Sequence, residues 1–179
     1  MTSTMRFDKW ENTLGQAVGT ILQVVSKTSS IPYATTITAH TGWSTFPSNG
    51  LQISITPKFS SSKLLLMANI TLGGTTSNNA AFRFTRGGSP IGIGDANGSR
   101  PRVTALSGWS NQADGNHVSR TISANFLDSA GSTSPIIYDI QGVTESTSLL
   151  WNRASTYGDS NLIYNGTAIS TFTVMEIAQ

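Results

Sequence analysis

The chain has 179 residues, a formal charge of +2 and a pI near 9.2, a length that suits one ordinary domain with an additional arm. Charged residues make up only 11%, against about 25% in typical soluble domains, and Lys and Arg never form a block, which excludes the counterion-release footprint of a nucleic-acid binder. Cysteine is absent, which excludes disulfides, thiolate metal sites and cysteine nucleophiles.

Residues 1–18 stand apart from the rest. Arg6, Asp8, Lys9 and Glu11 crowd together, and Phe7, Trp10 and Leu14 recur at helical spacing before Gly15. This pattern predicts an N-terminal arm or short amphipathic helix. Two roles fit it: a plug over one end of the domain, or an arm that docks on a larger assembly with Phe7 and Trp10 as anchors.

From Gly19 to the C-terminus the pattern is short apolar runs separated by turn residues. Strands are expected at Thr20–Ser26, Tyr33–His40, Leu51–Thr56, Lys63–Leu72, Ala80–Arg86, Arg102–Leu106, His117–Leu127, Pro135–Gln141, Ser148–Ala154 and Thr167–Ala178. Between them lie Pro47-Ser48-Asn49-Gly50, Gly73-Gly74, Gly87-Gly88, Asn97-Gly98, Asp114-Gly115 and Asn165-Gly166, dipeptides that accept turn dihedrals cheaply. Closely spaced short strands with no long helical period between them predict an all-β fold, an antiparallel β-sandwich of jelly-roll type over residues 19–179. No apolar run approaches the roughly 18 residues of a membrane-spanning helix, and the start lacks a continuous signal-peptide stretch, so a protein made in a cytoplasm is expected.

Two strands are apolar on both faces. In Lys63–Leu72, Leu64, Leu66, Ala68, Ile70 and Leu72 make one face while Leu65 and Met67 begin the other. In the last strand Phe172 and Val174 alternate with Met175 and Ile177. A sheet with one wet face should alternate apolar and polar, so an additional cover is needed. A symmetric partner supplies one without further sequence. A homotrimer is therefore expected, with Leu65, Met67, Phe172, Val174 and Met175 as candidate interface residues. The competing cover is the N-terminal arm.

Signals for catalysis, metals or cofactors are poor. His40 and His117 are the only histidines and neither has a ligand partner at metal spacing. Gly108-Trp109-Ser110-Asn111-Gln112 lacks the closing glycine of a nucleophile elbow. Gly92-Ile93-Gly94-Asp95-Ala96-Asn97-Gly98 has its third glycine one residue late for a dinucleotide loop and no P-loop lysine, so a plain turn is expected. Asp95 and Asn97 offer two oxygens where calcium takes six to eight. Carboxylate pairs suited to glycoside hydrolysis are missing. No cofactor is expected, and the chain reads as a non-enzyme. Trp43, Trp109 and Tyr157 each sit beside glycine in a turn, where a ring either caps the sandwich or stacks on a sugar face of a surface glycan. Trp151 lies within a strand and reads as core. Arg120 interrupts the face of Val118, Ile122, Ala124 and Phe126, marking a sheet edge or a pairing with Asp139 or Glu145.

The segments Gly19-Thr20-Ile21-Leu22-Gln23-Val24-Val25-Ser26, Leu51 to Leu66, Phe82 to Arg102 and Phe126-Leu127-Asp128-Ser129 resemble virion structural proteins of cyanophages and other marine tailed phages. The leader Met5-Arg6-Phe7-Asp8-Lys9-Trp10-Glu11-Asn12 is similar to theirs as well. The likeness is to jelly-roll modules of tail fibres and of head-decorating proteins. It implies a trimer, an external position on the particle, other tail or capsid proteins as partners and no enzymatic activity. The chain has no long repetitive or coiled shaft, which favours a short appendage or a cement protein binding neighbouring capsid subunits over a full-length fibre.

Overall fold

The computed structural model describes residues 19–74, 79–107, 119–155 and 157–179. Twelve strands are present among them, in two antiparallel sheets. The first sheet holds β1 (Ile21–Ser29), β2 (Tyr33–Thr36), β5 (Lys63–Gly74), β9 (Arg120–Ser129), β11 (Ser148–Trp151) and β12 (Ser170–Ile177). The second holds β3 (Ser44–Thr45), β4 (Ile53–Ile55), β6 (Ala80–Arg86), β7 (Ser89–Ile91), β8 (Ala105–Ser107) and β10 (Ile136–Thr144).

Several strands are end-to-end pieces of one line. β5 borders β12 along its first part and β11 near its end, with β9 on its other side, while β1 and β2 flank β12 and β11. In the second sheet β10 lies between β6 and the pair β3 and β4, and β6 is flanked outside by β7 and β8. Joining the pieces gives eight lines arranged first-eighth-third-sixth and second-seventh-fourth-fifth. That is a jelly roll, as the turn spacing predicted.

Strict alternation drives the core. Along β5, Leu64, Leu66, Ala68, Ile70 and Leu72 point inward, and along β12 Phe172 and Val174 do. They meet Phe82, Phe84, Tyr138 and Ile140 from the facing sheet. Phe84 stacks on Phe172 with centroids 5.7 Å apart, joining the two layers. Trp151 is fully buried, as its strand position predicted, and meets Phe46 edge-on at 5.2 Å.

Between the sheets near one end, Arg86 donates to Asp128 Oδ2 at 2.8 Å and to the carbonyls of Ser129 and Ala130. Tyr138 Oη donates to the same carboxylate at 2.6 Å. Burial first, then the Asp128 carboxylate, push the Tyr138 phenol far above its ordinary value. It stays protonated and bridges the layers.

Gly142 on β10 lies under the indole of Trp151. A Cβ there would stand 3.0 Å from Trp151 Cη2 and Cζ2 and 3.2 Å from Leu149 Cδ2. Both neighbours are buried and have little room to yield. Gly142→Ala is therefore expected to destabilise the domain by about 1–2 kcal/mol, overpacking outweighing the gain in strand propensity. A shift of the urea midpoint at constant slope would show it; a variant as stable as wild type would mean the indole can slide.

Candidate functional site

The outward face of the first sheet is the surface least explained by the fold of one chain. Across its four lines the register aligns Val24 with Met175, Met175 with Leu65 and Leu65 with Leu127. Val24 is 52% and Leu127 53% exposed. An uncharged apolar row thus crosses the whole sheet. Ile21 and Ile177 extend it on one side and Met67 on the other. Scattered apolar surface residues are ordinary, whereas this row is contiguous across four paired strands.

Beyond Met67 the face turns polar and satisfies itself. Ser26 and Thr173 hydroxyls share a hydrogen bond at 2.8 Å, Asn69 Nδ2 donates to Thr171, and Ser123 donates to Asn69 Oδ1 at 2.7 Å. Lys63, at the opposite end, donates to Ser129 Oγ.

This geometry corrects the interface reading for two residues. Phe172 and Val174 are fully buried in the core, because strand alternation turns them towards Phe84 and the facing sheet. They are unavailable to any partner. Leu65, Met67 and Met175 do lie on the outward face. The row also includes Val24, Leu127 and Ile177. The first two escaped sequence reasoning because their own strands do not alternate cleanly enough to mark an apolar outward face; only the cross-strand register joins them.

The outward face of the second sheet has a different character. Trp43 precedes β3, half-buried, and the Arg83 guanidinium lies 4.0 Å from its ring centroid, a cation–π contact. Arg83 Nε donates to Gln141 Oε1 at 2.9 Å. Burial pulls the Arg83 guanidinium below its ordinary value. Beside this group, Ala81, Val143, Leu106, Pro101 and Val103 line an open cavity of about 330 Å³, rimmed by His40, Ser107 and Glu145.

The remaining sequence candidates fall elsewhere. Tyr157 is 38% exposed in the connection between β11 and β12, with the Arg153 guanidinium 4.3 Å from its ring centroid. No contact joins it to Trp43 among the described residues. Trp109, His117, Phe7 and Trp10 lie outside the described residues, as does the whole arm of residues 1–18. Gly92 to Gly98 form the turn after β7; Arg102 holds it through Gly94 O, and Asn97 Oδ1 accepts from Arg100. Arg120 opens β9, an edge strand of the first sheet. Asp139 accepts from Gln52 and from the Ile140 amide. Among the described residues no three His, Asp or Glu side chains gather closely enough for a metal, and no helix is long and apolar enough to cross a membrane.

No protein-family model matches the chain, and no curated protein matches it in sequence.

Proposed function

We propose that the chain is a non-enzymatic structural protein of a tailed-phage particle: a homotrimeric tail-fibre or spike module that contacts the host surface. The observation that carries the assembly half of this reading is the apolar row Val24, Met175, Leu65 and Leu127. Three copies packed around an axis would bury it with one repeated interface, and closed symmetry needs no additional sequence. The jelly-roll fold and the resemblance of the β1, β5, β6 and β9 segments to marine phage virion proteins support the particle half. The second sheet, on the opposite side of the sandwich, is then free to face outward.

Leu65 is half-buried at the middle of the row, so an aspartate there leaves the core intact and places a charge in the interface. By analytical ultracentrifugation, the wild type is expected at three times the 19.0 kDa chain mass and Leu65→Asp at one, with unchanged circular dichroism. A wild type that sediments as a monomer at micromolar concentration would overturn the assembly.

The place on the particle is tested by copy number. Quantitative mass spectrometry of purified virions is expected to find far fewer copies than of the major capsid protein. A ratio near one per capsid subunit would replace the fibre reading with a decoration protein clamping capsid neighbours.

A further inference from the structure

Arg83 stands on a central strand of the second sheet, facing outward, yet no carboxylate lies within ion-pair distance of it among the described residues. Its Nε is committed to Gln141 and its plane to Trp43, but Nη1 and Nη2 take part in none of the hydrogen bonds among the described residues. A half-buried guanidinium held from two sides, with its fork open, is pre-organised for a planar anion such as a carboxylate. Asp139, on the neighbouring strand, does not answer it, being turned to Gln52 and the Ile140 amide.

One step along both strands, the outward pair after Arg83 and Gln141 is Ala81 and Val143, the floor of the cavity of about 330 Å³. That two-residue step is about 7 Å, the span of one sugar ring and its carboxyl substituent. The floor is apolar and the rim polar. His40 is exposed at the edge, Asn79 Nδ2 is tied to Glu145 Oε2 at 2.9 Å, and the buried Ser107 Oγ has no hydrogen-bond partner among the described residues. A pyranose ring has the matching character, with apolar C–H faces and a belt of hydroxyls.

We propose that this face is a binding site for a saccharide bearing a carboxylate, its acid on the Arg83 fork and its ring over Ala81 and Val143. The proposal rests on the host-contact reading above and names the ligand class.

Saturation-transfer NMR of the full chain tests it with trigalacturonate, trimannuronate and sialyllactose, each beside its carboxyl-reduced counterpart. At least one acidic member is expected to bind, about tenfold more tightly than its reduced form. Arg83→Gln should abolish that preference, and Ala81→Phe, which fills the cavity, should abolish binding. Absence of binding at millimolar concentration for every member would overturn the site. So would equal binding of acidic and reduced forms, or binding that both variants leave unchanged. Sedimentation and copy number do not depend on Arg83, so failure here and failure of the virion reading are distinguishable.

Discussion

Glu176→Leu is expected to cost about 4 kcal/mol of folding stability, the largest effect of any substitution considered. Glu176 lies inward on β12 with no exposure at all. Its carboxylate accepts from Gln23 Nε2, Ser62 Oγ at 2.7 Å, and the backbone amides of Lys58 and Phe59. These donors come from β1 and from the connection between β4 and β5, so one carboxylate ties two strands of the first sheet to the chain arriving from the second. Gln23 reaches it because the two residues pair directly across β1 and β12 and so share the inward face. Removing the carboxylate strands three donors, Ser62 Oγ and the Lys58 and Phe59 amides, while Gln23 Nε2 keeps Thr56 O; each is worth about 1–3 kcal/mol when left unpaired, with relaxation recovering part.

The same contacts set the acid response. Burial alone would raise the Glu176 carboxyl, but the hydrogen bonds from Gln23, Ser62, Lys58 and Phe59 outweigh it and hold the group below its ordinary 4.5. With the folded value depressed, its stabilisation is complete above pH 4.5 and is lost as pH falls through the folded value. Asp139 acts oppositely. Burial raises it above 3.8, so its share of the stability falls as pH rises through that interval. The two are separated by difference. Urea denaturation of wild type and Glu176→Gln from pH 7 to pH 3 should show their stability gap narrowing on acidification. A constant gap would mean that the carboxylate charge plays no part.

Asn152→Ala is expected to cost about 3 kcal/mol. The residue is fully buried and left-handed, with φ of 58°, a conformation asparagine tolerates better than alanine. Its Nδ2 donates to the carbonyls of Ser29 and Ile31, and its Oδ1 accepts from Ser170 Oγ, which itself accepts from the Thr71 amide. One side chain thereby ties the end of β1, β5 and the start of β12. Asn152→Gly keeps the dihedral and loses the hydrogen bonds, so it should be about 1 kcal/mol less damaging than Asn152→Ala. Denaturation midpoints of the two variants separate the contributions; equal costs would assign everything to the hydrogen bonds.

Much of the architecture could be read from the chain because period-two alternation and turn dipeptides are local signals. Lys63–Leu72 and Ala80–Arg86 were expected almost to the residue, and the Gly87-Gly88 turn falls where predicted. β3, only two residues long, and β7, which contains Pro90, gave no such signal. Arg102–Leu106 begins as irregular chain, and only Ala105–Ser107 pairs with β6. The site was less legible. In β12 both faces are apolar, and composition cannot say which of Phe172 and Met175 looks inward; pairing with β5 decides it. Arg83 reads as one more dispersed charge, because the Trp43 ring above it is distant in sequence. Glu176 was invisible for the same reason: its donors lie more than a hundred residues away.

The pairing of β1 with β12 has a mechanical side. The Gly19 amide donates to Ala178 O and the Ala178 amide to Thr20 O, so residues 19 and 178 sit side by side. A pull applied between those two points acts across the strands and loads the rungs from Ile21 and Ile177 towards Ser29 and Ser170 singly, in sequence. Such a ladder peels like a zipper instead of resisting in shear. Tension routed through both ends of this domain would open it at low force, whereas a load entering at one end and leaving through a sheet face would spare the β1–β12 seam.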